Sequence, residues 1–122
     1  MESFVQLVVW QKAHRLVLKI YKLTADFPNA ERFRLTDQLC RSASSIPANI
    51  AEGKGRNSRK EYVQFLYIAR GSLEETKYHL ILSRDLGYLS SEGFDALLEG
   101  YNEVGRMLNG LINSLKERGS NG

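Results

Sequence analysis

The cations in one short stretch supply the clearest chemistry in this sequence. Lys54, Arg56, Arg59 and Lys60, the basic loop, fall within seven residues with no acid among them, where a predicted helix begins. A helix N-terminus offers free backbone amides and partial positive charge, so a phosphate group could settle there. A solvated basic turn, or a contact to an acidic surface of a neighbouring subunit, would use the same residues.

A second group of cations lies near the start of the chain. Lys12, Arg15, Lys19 and Lys22 step by three, four and three residues, so on a helix they fall within about 80° of one another. We call these four residues the basic stripe. Residues 3–25 contain no acid, which is unusual for a face tuned only for solubility. The stripe therefore predicts contacts to nucleic-acid phosphates, with an ordinary solvated face as the alternative.

Side chains suited to catalysis or metal binding are few and scattered. His14 and His79 lie on different predicted helices, and neither belongs to a metal-binding pair. Cys40 has no candidate base partner and is expected to be a small core residue. Glu74 and Glu75 are consecutive on a helix and therefore face different directions. The sequence predicts no catalytic residue, no metal and no cofactor, and hence a protein that is not an enzyme.

Composition and charge limit the class of protein. The 122 residues are 43% hydrophobic and 25% charged, with a single cysteine, which predicts one soluble, cytoplasmic domain. The start of the chain lacks the features of a signal peptide, and no apolar run is long enough to span a membrane. Residues 1–60 hold eleven Lys/Arg against five Asp/Glu, a net charge of +6, whereas residues 61–122 hold six against nine, a net charge of −3. This asymmetry predicts an anionic partner for the first half, or association between unlike faces of neighbouring subunits.

Hydrophobic periodicity predicts an all-α protein, an antiparallel up-down four-helix bundle. The core faces that this spacing predicts include Ala13, Val17 and Ile20 on the first helix, Phe33 on the second and Tyr101 on the fourth. Ser58 and Glu61 have the spacing of a capping box at the start of the third helix, and Gly87 is expected to end that helix.

Pro47 lies inside the second helix and is expected to kink it. Gly71 and Ser72 are poor helix formers within the third helix, which suggests a close helix crossing there. The predicted helices, followed by a frayed tail at 118–122, span residues 7–26, 31–53, 59–86 and 91–117.

Four blocks of this sequence resemble one known family, over about residues 4–89. The central block runs from Ser45 to Gly53 (SIPANIAEG), with Arg56 after it. The other three are VWQKA at residues 9–13, QLCR at residues 38–41 and ARGSLEE at residues 69–75. Together they are similar to the four-helix bundle proteins encoded in intervening sequences of bacterial 23S ribosomal RNA, which are related to accessory proteins of diversity-generating retroelements.

The resemblance implies a homo-oligomer, typically a pentamer, whose partners are RNA, the ribosome or another protein. It also marks motif positions expected to serve packing or an interface. A pairing of Glu52 or Glu75 with Arg41 or Arg56 across helices 2 and 3 is expected to hold the bundle or a subunit contact. The motif positions that carry over are Arg41, Asn49, Glu52, Gly53, Arg56, Gly71, Ser72 and Glu75.

Two functions of different class follow from the sequence. The first is a homo-oligomer that binds structured RNA or ribonucleoprotein by charge and shape, through the basic stripe and the basic loop. The second is a structural or adaptor oligomer that binds a protein partner, in which the segment Ser45–Gly53 serves subunit or partner contacts.

Overall fold

The computed structural model describes the backbone of residues 3–121 and the side chains of residues 3–118, and these residues form four helices and no strand. Two short 3-10 helices, Ser3–Gln6 and Asn29–Glu31, precede the first and second long helices. The all-α prediction is confirmed. The long helices are α1 (Val8–Thr24), α2 (Leu35–Lys54), α3 (Arg59–Asp85) and α4 (Ser91–Asn121).

The helices pack in a closed ring, with α1 against α2 and α4, and α3 against α2 and α4. Contacts between α2 and α3 join later residues of one helix to earlier residues of the other. Ser45 of α2 hydrogen-bonds Ser72 of α3, whereas Gly53, farther along α2, lies against Tyr62, near the start of α3. Consecutive helices are therefore antiparallel across this interface, as short connections require.

The hydrophobic face predicted for each helix forms one shared core. On α1, the predicted seam residues Ala13, Val17 and Ile20 are buried, and Trp10 packs on the core while partly exposed. The predicted face of α4 also points inward, with Tyr101 fully buried. Spacing of three and four residues predicts these buried positions, because a bundle helix buries one apolar stripe along its length.

The start of α2 differs from the prediction. The chain makes a 3-10 turn at Asn29–Glu31 and enters α2 only at Leu35, because Arg34 has a non-helical backbone, with φ −121° and ψ −107°. Phe33, predicted to be buried on this helix, is 84% exposed, and the Arg32 guanidinium lies 5.3 Å from the centre of its ring.

The ends of α2 and α4 also lie later than predicted. Gly53 is inside α2, which ends at Lys54, and it is not a left-handed terminating residue. α4 continues to Asn121, so the tail predicted from residue 118 is helical up to that point, and Gly122 lies outside the described residues. Pro47 is inside the continuous span of α2, and the kink expected there stays a prediction.

Gly87 ends α3 as predicted, and it fixes the direction of α4. Its φ is +86°, the left-handed conformation that glycine adopts without strain. The Tyr88 amide donates to the Ser83 carbonyl oxygen at 2.9 Å, and the Gly87 amide donates to the Arg84 carbonyl oxygen at 3.0 Å. These two bonds make a Schellman motif.

Candidate nucleic-acid interface

The basic stripe lies on the solvent side of α1, and three of its four cations form no ion pair with a described residue. Arg15, Lys19 and Lys22 are exposed, and no described carboxylate lies within ion-pair distance of them. The Lys12 ammonium instead lies 2.8 Å from a carboxylate oxygen of Glu103 on α4. No acid interrupts the stripe along the sequence, but the fold places Glu103 of α4 next to it.

Close packing of α4 on α1 explains this ion pair. A Cβ at Gly100 would lie 2.9 Å from Leu16 Cδ2, so the missing side chain lets the two helices approach. The hydrogen bond and positive charge of Lys12 hold the pKa of Glu103 below its usual range. A shallow cavity of about 150 Å³ lies here, lined by Lys12, Arg15, Leu16, Lys19, Gly100 and Glu103.

The basic loop joins α2 to α3, and its helix cap forms as predicted. The Ser58 hydroxyl oxygen accepts from the Glu61 amide at 3.1 Å, which satisfies one free donor at the start of α3. The Ser58 hydroxyl also lies 3.3 Å from the Glu61 carboxylate and donates to it. This carboxylate is thereby engaged at the helix start.

The four cations of the basic loop have unequal surroundings. Arg56 pairs with Glu52 at 2.9 Å and lies 4.6 Å from the centre of the Phe65 ring. Lys60 is exposed, and the Lys54 ammonium lies 6.0 Å from the centre of a tyrosine ring on α3. Among described residues, neither lysine has an ion pair, and the same holds for Arg59.

The basic loop forms one side of a cavity of about 350 Å³, the loop-end cavity. Its other sides come from Leu7, just before α1, and from the last described turns of α4. Arg59 donates a hydrogen bond to the Arg118 backbone carbonyl oxygen at 3.3 Å. The cavity is lined by Leu7, Lys54, Arg56, Asn57, Ser58, Arg59, Tyr62, Leu111, Leu115 and Arg118.

Sequence reasoning missed Arg118 and the hydroxyl of Tyr62 as members of this site. Arg118 was placed in a frayed tail, yet α4 carries it to the same end of the bundle as the basic loop. The antiparallel arrangement and the lengths of α3 and α4 could have predicted that the end of α4 lies near the start of α3. Nothing in the local sequence indicated that the hydroxyl of Tyr62 would be buried without a hydrogen-bond partner.

The residues considered for catalysis lie apart. The His14 ring stacks on Trp10, with ring centres 5.0 Å apart, whereas His79 is buried on α3. Cys40 is half-buried, with its sulfur 3.5 Å from the Thr24 hydroxyl. Within the described part of the chain, no group of three or more His, Cys, Asp or Glu side chains could hold a metal ion, and no helix is long and apolar enough to cross a membrane.

The family model described as "23S rRNA-intervening sequence protein" matches residues 5–110. The chain belongs to this family. A similar solved structure is that of a protein of unknown function from the S23 ribosomal protein family of Bacteroides thetaiotaomicron VPI-5482. The two chains share 29% identity over 86% of this chain and 98% of that one, with a TM-score of 0.78. A comparison with curated protein sequences gives no match.

Charged residues of the family motif contact side chains four residues away in the chain. Arg41 pairs with Asp37 at 3.1 Å, and the carboxylate of Glu75 lies 3.2 Å from the His79 Nε2. Glu52 reaches Arg56, four residues later on the same stretch of chain. Of the pairings expected from the sequence, Glu52 with Arg56 forms, but at the end of α2 and not across two helices. Among the described residues, neither Glu52 nor Glu75 pairs with an arginine across α2 and α3, because side chains four residues apart meet first.

Polar residues of the motif form a hydrogen-bonded seam between α2 and α3. The Ser72 hydroxyl donates to the Ser45 hydroxyl at 2.9 Å, and one turn away the Thr76 hydroxyl donates to the Ser42 hydroxyl at 2.9 Å. The Asn49 side-chain amide donates to both the backbone carbonyl oxygen and the hydroxyl of Ser45. We call these five side chains the polar seam. From the sequence, Asn49 and Ser72 are each expected to have a partner across helices or subunits. Ser72 has one in Ser45, whereas the described partners of Asn49 lie within α2.

The two motif glycines have opposite surroundings. A Cβ at Gly53 would lie 2.9 Å from the Phe65 Cβ and 2.9 Å from the Tyr62 Cδ1, so the close approach of α2 and α3 occurs there. Gly71 is exposed, and nothing lies within 4 Å of where its Cβ would be. The close crossing suggested at Gly71 is thus not formed within one protomer.

Proposed function

We propose that this protein is a non-enzymatic, cytoplasmic homo-oligomer that binds structured RNA or ribonucleoprotein by charge and shape. One observation supports this most directly: six of the eight predicted cations have no ion pair among the described residues. They lie on the basic stripe and in the basic loop, and they are Arg15, Lys19, Lys22, Lys54, Arg59 and Lys60.

Phosphate binding explains why such cations are left without acids. Like charges held together on a helix face repel one another, and a surface tuned for solubility mixes both signs. Phosphates relieve the repulsion and release condensed counterions, which makes binding strongly dependent on salt. Since lysine and arginine on exposed helix faces reach the backbone of a structured RNA, recognition follows its shape more than its bases.

The first experiment measures the mass of the native protein by light scattering, with and without a structured RNA. The salt concentration is set at about 50 mM and about 300 mM, because electrostatic binding weakens steeply over this range. The proposal expects a discrete oligomer, a pentamer by resemblance, that becomes heavier with RNA at low salt and releases it at high salt. An oligomer that ignores RNA at both salts contradicts it.

A charge-matched pair of variants separates the basic stripe from net charge. In the first variant Arg15, Lys19 and Lys22 are all changed to glutamine, and the slope of log affinity against log salt is expected to fall by about two to three. The control changes three cations that already have carboxylate partners. They are Arg41, Lys77 and Arg84, which pair with Asp37, Glu74 and Asp85.

Both triple variants lose the same net charge, so only position distinguishes them. We expect the control to bind RNA with a slope near that of the unchanged protein, because its cations are already neutralised locally. Equal losses in both variants would show that overall charge, and not the basic stripe, attracts the RNA.

An assembly role is the second candidate, and the outer face of α3 favours it. Ile68 is 51% exposed and Tyr78 is 57% exposed on this face, with open space above Gly71 between them. A second copy could cover it, since Glu74 and Glu75 beside this face would meet the unpaired cations of a neighbouring α1. The segment Ser45–Gly53 offers less surface, because four of its nine residues are buried inside the protomer.

Gly71→Lys tests this second candidate. The new Cβ has no atom within 4 Å and Gly71 is exposed, so the fold is expected to persist, as helical circular dichroism would check. Loss of the oligomer in light scattering would place the subunit contact on this face. An unchanged mass would exclude it, and Gly71→Ala serves as the control without charge or bulk.

A further inference from the structure

The loop-end cavity is a concave site, open to solvent on one side, that three separate parts of the chain form. The loop between α2 and α3 forms one wall, the entry to α1 a second, and the last turns of α4 a third. Its volume of about 350 Å³ holds a phosphate-sized group with several waters, since a water occupies about 30 Å³ of the liquid.

The charged side chains that line this cavity among the described residues are all positive. The lining includes Lys54, Arg56, Arg59 and Arg118, and none of its lining residues is an Asp or Glu. Only Arg56 has an ion-pair partner among the described residues, and that partner, Glu52, is not in the lining. Cations gathered in a concave site with low-dielectric walls raise the local concentration of anions.

The start of α3 adds to this field. Ser58 caps the helix, and its hydroxyl and carbonyl oxygens accept from the third and fourth amides. The first two amides, those of Arg59 and Lys60, have no described partner in the helix. A helix N-terminus in this state favours an oxyanion through both its free donors and its dipole.

A buried hydroxyl supplies the independent sign of a missing ligand. Tyr62 is only 8% exposed, and among the described residues its buried hydroxyl oxygen has no hydrogen-bond partner. Burial raises the pKa of Tyr62, and the charge of Arg118 offsets this in part. The hydroxyl therefore keeps its proton at neutral pH and has a donor to offer, which an unpaired buried group loses at a free-energy cost.

We propose that the loop-end cavity binds a single phosphate group, whose oxygens accept from the Tyr62 hydroxyl and pair with Lys54, Arg59 and Arg118. The long side chains of these cations reorient to meet the anion and uncover the hydroxyl. A dianionic phosphate, free or as a terminal monoester, matches the excess of cations better than a singly charged diester. The site shares Lys54 and Arg59 with the RNA contacts proposed for the basic loop, but it contains no residue of the basic stripe.

Calorimetric titration of the full chain with inorganic phosphate tests this site without any RNA. Three proteins are compared: the unchanged chain, Tyr62→Phe and Tyr101→Phe. The control is closely matched, because Tyr101 also has a buried hydroxyl without a partner but does not line the cavity. Either change removes only an unsatisfied hydroxyl, so both variants are expected to fold.

The unchanged chain is expected to bind one phosphate per protomer. Tyr62→Phe should weaken binding about tenfold, as the loss of a hydrogen bond to a charged group does, whereas Tyr101→Phe should leave it unchanged. Absence of binding in the unchanged chain, or equal binding in all three proteins, overturns the proposal. Failure of RNA binding at the basic stripe does not affect this result.

Competition identifies the source of the phosphate. A short RNA with a 5′-phosphate is compared with the same RNA carrying a 5′-hydroxyl, each added to the protein with inorganic phosphate present. Displacement by the phosphorylated RNA alone supports an RNA end as the ligand. If neither RNA displaces the bound inorganic phosphate, the result supports free phosphate as the ligand.

Discussion

Gly53 allows α2 and α3 to approach, and adding one methyl group tests how tightly they pack. In Gly53→Ala, the new Cβ would lie 2.9 Å from the Phe65 Cβ and 3.2 Å from the Tyr62 carbonyl oxygen. Carbon atoms in good contact are about 3.5–4.0 Å apart. Both neighbours belong to the rigid part of α3, so relief requires the two helices to move apart and not a rotation of one side chain.

The expected effect is a balance of two opposing free energies. Overpacking of a close-packed site costs about 1–3 kcal/mol, and contacts to backbone place this site at the upper end. Alanine gains about 1 kcal/mol over glycine inside a helix. Gly53→Ala is therefore expected to lower the free energy of unfolding by about 1–2 kcal/mol.

Urea unfolding followed by helical circular dichroism measures this change. With a slope of about 2 kcal/mol per molar urea, the midpoint should fall by roughly 0.5–1 M. Two protein concentrations are needed, since assembly would couple to stability. Gly110→Ala is the control: Gly110 is exposed on α4 with nothing within 4 Å, so alanine should raise stability by about 0.5–1 kcal/mol. If both variants are stabilised, the packing of α2 on α3 is not tight and the reasoning is refuted.

Two further predictions concern polar contacts. Ser45→Ala removes the acceptor of the Ser72 hydroxyl and should lower the free energy of unfolding by about 1–2 kcal/mol. The control is Ser44→Ala, because the Ser44 hydroxyl bonds within its own helix, and this change should alter the free energy of unfolding by less than about 0.5 kcal/mol. Similar losses in both variants would contradict a role for the polar seam. The pKa of Glu103 is lowered from 4.5 by its lysine partner, so the stabilisation is present above that pH and is lost as pH falls through the lower, folded-state pKa. Urea midpoints measured between about pH 3 and pH 7 should show Glu103→Gln to be less stable than the unchanged protein only at the higher pH. The control is Glu99→Gln, because Glu99 is exposed. A stability difference that does not vary with pH, or the same difference in the control, would refute the role of the Lys12–Glu103 pair.

Much of the fold was predictable because bundle helices bury one periodic stripe. Seams on α1 and α4 and the end of α3 at Gly87 follow from spacing and from one residue type. The start of α2 was not predictable in this way. An acid near Pro28 looked like the first turn of a long helix, whereas the chain makes a separate 3-10 turn and leaves Phe33 in solvent.

The candidate site was predictable only where it is local in sequence. The cations of the basic stripe lie close together along the sequence, and so do those of the basic loop, so both groups can be identified from the sequence alone. Glu103, which pairs with Lys12, and Arg118, which completes the loop-end cavity, come from α4. Their positions depend on how far α4 extends and which helix it packs against, and these are tertiary properties that composition and spacing do not contain.

The polar seam also restricts how α2 and α3 can slide past each other. A purely apolar helix interface tolerates displacement along the axis, because one aliphatic side chain replaces another at little cost. The two hydroxyl pairs, Ser42 with Thr76 and Ser45 with Ser72, lie one turn apart, so a slide of one turn, about 5.4 Å, could re-form only one pair and would leave one hydroxyl of each helix without a partner. Each buried hydroxyl left without a partner costs free energy, so the two pairs together favour one axial alignment of α2 and α3.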